Sequence, residues 1–440
     1  MSPELTTILM FLSLLVLLTG FPLAFGIASM GILFGYLTGG NAFLYMIPQR
    51  VINGTLSEYI LAAVPLFIFM GVSISSSGVA ERSFIVLQRW MSSIRGGLAI
   101  ATITLAIVFA ACVGVVGASV TAIGILAIPA MQKARYADSL ATGVVCAGGT
   151  LGILIPPSIM LILYAPIAGV SVVDMYAGAV VPGLLLGILY IVYVILRTKF
   201  NPEMGPSLPK EMGLKFFSRE SLVQGFKYLA PPVLLVILVM GSLFLGIASP
   251  TEAGAVGSVG AIALGFIYRT ITWQSFKNDC YLTLRITAMI IFIAIAASLF
   301  TGAFLNAGCG QVITDVLLGL GLGRWGIFIA VLIIVLILGC FIDWIGILLI
   351  MVPIFAPILT TLKFDPLWVG LVVCTSLQVS FLSPPFAYSI FYAKAITPKT
   401  PLTDIYRGVM PFVAIQLLVT MLCIIFPALC LWLPNLLSQG

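Results

Sequence analysis

The chain has 440 residues, 61% of them hydrophobic and only 8% charged, where a soluble domain carries about 25% charged residues; with a mean hydropathy of +1.23 it reads as a polytopic membrane protein. At roughly 20 apolar residues per crossing, it has room for about ten to thirteen membrane segments and almost no soluble domain. The net charge of +6 includes no histidine, which removes histidine bases, Ser-His-Asp triads, His-ligated metals and haem.

The eight cysteines are scattered singly, with no C-x-x-C spacing, and read as small apolar fillers. Basic residues form no patch outside the loops, so nucleic-acid binding is excluded. Apolar stretches fall at roughly 5–20, 22–38, 57–77, 96–116, 121–132, 139–168, 175–196, 229–247, 252–268, 286–305, 325–341, 344–361, 366–397 and 408–434. The first has Glu4 as its only charge, with no basic leader and no small-residue cleavage pattern, so it is kept as a membrane helix. The stretch 79–95 is amphipathic, with Arg82, Arg89 and Arg95 beside Trp90, as expected for a helix at the cytoplasmic interface. The piece 121–132 is too short to cross a core of about 30 Å. Paired with 96–116, it predicts a re-entrant hairpin over 96–134 with its tip at Gly117-Ala118-Ser119-Val120-Thr121.

The helix over 139–168 is broken at Pro156-Pro157. The polar stretch 197–228 is a cytoplasmic loop that divides the chain. Glu252, after Ser249-Pro250-Thr251, reads first as part of a helix cap and less as a site residue. Asp174 and Glu58 read as solvated loop charges. The stretch 309–322 is a second amphipathic arm, made hinge-like by Gly319, Gly321 and Gly323. A second hairpin over 324–361 bends at Asp343, and 366–397 breaks at Pro384-Pro385.

With two re-entrant hairpins, 17 of the 20 basic residues fall on one side, leaving Arg50, Arg324 and Lys363 on the other. By the positive-inside rule the rich side is cytoplasmic. Both termini then face outward. Arg95-Gly96-Gly97 aligns with Arg324-Trp325-Gly326, and Pro156-Pro157 with Pro384-Pro385, with opposite charge sidedness. The expected fold is therefore all-α and polytopic, with about 11 transmembrane helices in two inverted repeats, 1–197 and 229–440, joined by the loop 198–228. Each repeat has a re-entrant hairpin and a broken Pro-Pro helix. Paired, interrupted segments of this kind point to the binding site of a secondary transporter.

Pro-Pro frees backbone carbonyls, which suit a cavity wall better than lipid; a kink made only for packing is the alternative. The expected Na⁺ ligands are Ser119 and Thr121 facing Gly148, Gly149 and Thr150, and Asp343 facing Thr375, Ser376 and Ser383. Half-helix N-termini hold an anion between them, at Gly117, Ser119, Pro156, Pro157, Ser158, Ser383, Pro384 and Pro385. Asp343 is the one carboxylate deep in an apolar run. It has three readings: Na⁺ ligand, proton carrier, or N-cap of the short leg.

Val64-Pro65-Leu66-Phe67-Ile68-Phe69-Met70-Gly71, the run Gly148 to Ser158, Pro250-Thr251-Glu252-Ala253, Gly339 through Pro353, and Leu382-Ser383-Pro384-Pro385 resemble the large membrane subunit of TRAP transporters, the DctM-like permeases. Ser383 stands where that family often has Thr, and both offer a hydroxyl. The resemblance implies an elevator-type, Na⁺-driven importer of organic acids in a bacterial or archaeal inner membrane. It implies no cofactor beyond Na⁺ as coupling ion. It also implies two partners: an unfused small four-helix membrane subunit and a periplasmic substrate-binding protein that does most of the recognition. A stand-alone dicarboxylate/Na⁺ symporter is the second reading. An intramembrane aspartyl protease needs a second deep Asp, which Asp343 lacks. A channel does not need two gates around a midplane site, and no nucleotide fingerprint supports an ATP-driven pump.

Overall fold

A computed structural model of the protein describes residues 2–14, 22–207, 218–384 and 387–438. Their regular structure is all helix, with no strand among them. In chain order the helices are α1 (Pro3–Leu14), α2 (Leu23–Val51), α3 (Ala63–Ser76), α4 (Val79–Met91), α5 (Gly97–Val113), α6 (Val116–Lys133), α7 (Asp138–Thr150), α8 (Ile159–Ala168), α9 (Val172–Phe200), α10 (Arg219–Tyr228), α11 (Ala230–Phe244), α12 (Pro250–Ile267), α13 (Trp273–Asn306), α14 (Cys309–Gly319), α15 (Gly323–Gly339), α16 (Trp344–Thr361), α17 (Pro366–Ser380), α18 (Tyr388–Ile396), α19 (Leu402–Ile425) and α20 (Ala428–Ser438). Among the described residues, eight helical segments are long and apolar enough to cross a membrane, or nine if α10 and α11, bent by 45°, count as one. The shorter apolar helices include both broken spans and one leg of each hairpin. Lys210, Lys215 and Pro385 lie outside the described residues.

Both hairpins return to the side from which they start. At the base of α5 and α6, the Leu98 amide donates to Tyr136 Oη at 3.2 Å, and Gly96 and Ala137 donate to the carbonyls of Gly205 and Met204. At the base of α15 and α16, Arg324 donates to the Lys363 carbonyl at 3.4 Å and the Trp325 and Phe364 rings meet at 5.2 Å. Helices recur in the same order in the two halves. Val116 and Trp344, Asp138 and Pro366, Ile159 and Tyr388, and Val172 and Leu402 open matching helices, each pair 228 to 230 residues apart. The hairpins themselves start at Gly97 and Gly323, three residues out of step with the Arg95/Arg324 pairing. The helix start follows the left-handed Gly96 (φ 73) in the first half and Leu322 in the second, not the arginine.

The helices sort into two bodies. In one, α2 lies along α13, α3 along α12 and α13, and α11 on α12. In the other, the halves interlock: α6 packs on α18, α7 on α19, α8 on α16, and α9 on α17. The stretch 175–196, expected from sequence to join 22–38, 57–77 and 229–268 in a static scaffold, belongs instead with the hairpins, because α9 packs chiefly against α5, α8, α17, α19 and α20; the first body is the scaffold. Helix α13 has 34 residues and starts well before the apolar stretch 286–305. Its polar first turns are carried by packing, with Asp279 accepting from Ser76 Oγ at 2.7 Å. Trp90 is half-buried on α4, against Gly225 of α10.

Ser249 and Glu252 close a reciprocal cap on α12. Ser249 N donates to Glu252 Oε2 at 2.7 Å and Glu252 N to Ser249 Oγ at 3.3 Å, satisfying donors a helix start leaves open. Ser249→Ala is expected to lower stability by about 1 kcal/mol, read as an earlier thermal transition of the detergent-solubilised protein with uptake retained.

Candidate substrate and cation site

The first hairpin turns at Gly114-Val115, earlier than the Gly117–Thr121 tip expected from sequence. Gly114 is left-handed (φ 59, ψ 0), a conformation an L side chain resists, and it ends α5. Helix α6 then starts at Val116 and has 18 residues, so Ser119 and Thr121 sit within its first two turns. Ser119 is buried, and its Oγ has no hydrogen-bond partner. It faces the broken helix: a Cβ on Gly152 would stand 3.3 Å from Ser119 Oγ, and one on Gly149 would stand 3.0 Å from Val120 N. Glycines here let the hairpin tip rest directly on the break. Thr121 is half-exposed. Gly117 lies under Tyr392, where a Cβ would meet the ring at 2.6 Å.

Gly148, Gly149 and Thr150 are the last turn of α7 and are not unwound. The irregular backbone comes later, over 154–158, after a 3-10 turn at Leu151–Ile153. Pro156 and Pro157 are buried there, joined by a cis peptide. Ser158 Oγ donates to the Ile153 carbonyl, and Tyr176 Oη donates to the Ser158 carbonyl at 3.3 Å. Thr150 Oγ1 donates to Ala147 O at 2.8 Å and accepts from Gln416 Nε2 at 3.3 Å.

The second hairpin turns over 340–343, as expected. Asp343 occupies the N-cap position of α16 with extended backbone (φ −62, ψ 146). Its carboxyl is turned towards the Trp344 and Ile345 amides without closing a capping hydrogen bond. A small pocket beside it is lined by Gly339, Ser380, Phe381 and Tyr388. Thr375, Ser376 and Ser383 are not in that lining. Their hydroxyls donate to the carbonyls of Leu371, Val373 and Val379, each at 2.7 Å. Ser380 Oγ and both amide atoms of Gln378 are buried without partners. Pro384 is exposed. Ser389 Oγ donates to Phe381 O at 2.6 Å, tying the start of α18 to the end of α17.

The two tips meet at one cavity of about 480 Å³. The hairpin body walls it with Gly114–Gly117, Ile153, Asp343–Ile345, Phe381 and two tyrosines, Tyr388 and Tyr392. The opposite wall is Leu23–Phe25 of α2 and the Ile286–Ile293 stretch of α13. The first residues of α6 and α16 line it, so the partial positive ends of two half-helices converge there. The cavity thus offers an apolar wall, helix-end donors for an anion, and hydroxyl, carbonyl and carboxylate oxygens for a hard cation. Sequence reasoning missed Ser380, Gln378, Gln416, Tyr388 and Tyr392. The signal was present for the two glutamines, each a polar side chain inside an apolar run.

Residues 8–429 match the family described as tripartite ATP-independent periplasmic transporter, DctM component. The chain is 31% identical to the C4-dicarboxylate TRAP transporter large permease protein DctM of Vibrio cholerae over 96% of this chain and 95% of that one. It is 34% identical to the protein of the same name from Pseudomonas aeruginosa over 88% of each chain. Among solved structures, the Alcanivorax borkumensis YdaH transporter has the same fold, at a TM-score of 0.64 and 14% identity over 98% of both chains. The relatives are named as transporter permeases and not as enzymes. The chain is a multi-pass membrane protein that belongs to the DctM, or large-permease, family of TRAP transporters.

Proposed function

We propose that the protein is the Na⁺-coupled, substrate-moving subunit of an importer for a small organic anion: a C4-dicarboxylate, an acidic sugar or a sulfonate. It sits in a prokaryotic inner membrane, beside a small four-helix membrane subunit, and takes substrate from a periplasmic binding protein. The observation that carries this reading is the single cavity at which both hairpin tips and both broken helices converge. The substrate anion lies between the starts of α6 and α16. One cation is held near Ser119 and the last turn of α7, the other near Asp343 and Ser380. The two repeats are inverted, and the interlocked hairpin body slides past the α2, α3, α12 and α13 scaffold to alternate access. The cavity's scaffold wall is the start of α2 and the middle of α13, which lie nearer the lysine- and arginine-rich side than Arg50 does, and this supports reading the conformation as inward-facing.

Uptake into proteoliposomes holding this subunit and both partners is expected to need an inward Na⁺ gradient, across a panel of labelled acids. Uptake driven by a pH gradient alone in Na⁺-free buffer contradicts the coupling.

A further inference from the structure

One charged side chain inside the fold takes no part in the site above. Arg50 lies in the last turn of α2, on the side poor in basic residues. Its guanidinium lies across Gly302 of α13, where a Cβ would stand 2.7 Å from Nε. Its Nε is buried without a hydrogen-bond partner. Among the described residues the one ion pair is Arg407–Asp404, so no carboxylate neutralises Arg50. Glu58, which borders the same space, is exposed.

Arg50 faces a second cavity, of about 260 Å³. On the scaffold side its polar lining includes Ser298 and Thr301, and Thr301 is 9% exposed with an unpartnered Oγ1. On the hairpin side it is closed by Leu163 of α8 and Leu349 and Pro353 of α16. Both cavities are therefore gaps between the same two bodies, and α13 forms a wall of each. Residues Ile286–Ile293 face the first cavity and Ala294–Thr301 the second. Their centres are seven to eight residues apart, which is about 11 Å along a helix.

We infer that Arg50, with Ser298 and Thr301, is the scaffold half of the outward-facing site, an anion receptor that meets the carboxylate or sulfonate end of the substrate. The inference rests on the proposed sliding of the hairpin body. A slide of about 11 Å along α13 carries the tips from the apolar stretch at Ile286–Ile293 to the level of Arg50. The two walls are chemically unlike. The inner is apolar on α13, so it holds the substrate weakly from the scaffold side and favours release. The outer offers forked guanidinium donors and two hydroxyls, so it favours capture of an anion. An unpaired guanidinium in a partly desolvated recess also draws anions from bulk water.

The test is the charge preference of the cavity, read without transport. Ser298→Cys is placed in full-length protein with Cys280 and Cys340 replaced by alanine, assembled with its small subunit in right-side-out vesicles. Its modification rate is measured with two thiol reagents of similar size, sulfonatoethyl methanethiosulfonate (anionic) and trimethylammonioethyl methanethiosulfonate (cationic). The anionic reagent is expected to react at least about fivefold faster relative to its rate with a free thiol in solution. Arg50→Gln should abolish that preference and Arg50→Lys should keep most of it. Equal relative rates with Arg50 present, a preference that survives Arg50→Gln, or no modification from the outer face by either reagent would overturn the receptor. Na⁺-independent uptake would sink the coupling reading and leave this labelling pattern untouched, so the two failures are separable.

Discussion

Replacing Asp343 with asparagine lowers the apparent Na⁺ affinity of uptake by tenfold or more, equivalent to about 1.4 kcal/mol. The substitution keeps the shape of the side chain and removes its charge. Asp343 lies at the tip of the second hairpin, beside Ser380 and Tyr388, and borders the central cavity. No basic side chain pairs with it among the described residues. Its extended backbone is the N-cap conformation, yet the side chain closes no cap. A carboxylate in that position, with no basic partner and only loosely aimed at the first amides of its helix, is available to a cation. An N-cap role alone predicts a different result: asparagine caps as well as aspartate, so Na⁺ dependence would not move. Initial uptake rates against Na⁺ concentration at fixed substrate separate the two.

Bridging Leu23 to Gly346 is expected to reduce uptake to background. Leu23 opens α2 on the scaffold, and Gly346 lies in the first turn of α16 on the hairpin body. A Cβ on Gly346 would stand 2.9 Å from Leu23 Cδ2, so cysteines at the two positions are within reach of a short bifunctional thiol reagent. The bridge pins one hairpin tip to the inner wall. If the body must slide by about two helical turns, a pinned body completes no cycle, and cleaving a reducible bridge restores transport. Bridged protein that transports at the unbridged rate would show that the tips stay fixed against the scaffold, and a local gate would replace the sliding body.

Much of this arrangement was legible in the sequence because breaks in a membrane helix need unusual residues. Pro156-Pro157, the Asp343 bend and the Ser249–Glu252 cap all stand where their chemistry placed them. The first hairpin tip was misplaced by a few residues because the true break, Gly114-Val115, lies inside an apolar run. The small and polar residues after it looked more like a turn. One left-handed glycine decided the matter, and composition does not report φ. The start of α13 was hidden for the opposite reason: Lys277, Asp279 and Arg285 look like loop residues, while the Thr272–Ser275 capping box and the packing of Asp279 on Ser76 keep this stretch helical. The neighbours of Asp343 differ from those expected because facing helices, not sequence distance, choose them. Ser380 rotates into the pocket while Ser383 turns back on its own helix. Assigning α9 to the scaffold failed likewise, since both faces of the gap are apolar and carry no pattern that names their partner.

The interlocking of the two halves also governs how the protein is made. Gly143 of α7 and Gly408 of α19 touch backbone to backbone, with a Cβ on Gly143 only 2.6 Å from Gly408 C. Such close crossings of small residues are a main adhesive between helices in lipid, where no hydrophobic force draws them together. The faces of α6, α7 and α8 that belong against α18, α19 and α16 therefore stay uncovered while most of the chain is still on the ribosome. The first hairpin is inserted early but finished late, when residues beyond 400 emerge. Until then α5, α6 and α7 pack on one another, but their outer faces lack the cover that the second half supplies. The last helices therefore act as the keystone of biogenesis: a ribosome that stalls before α19 leaves a first half open to proteolysis in the membrane.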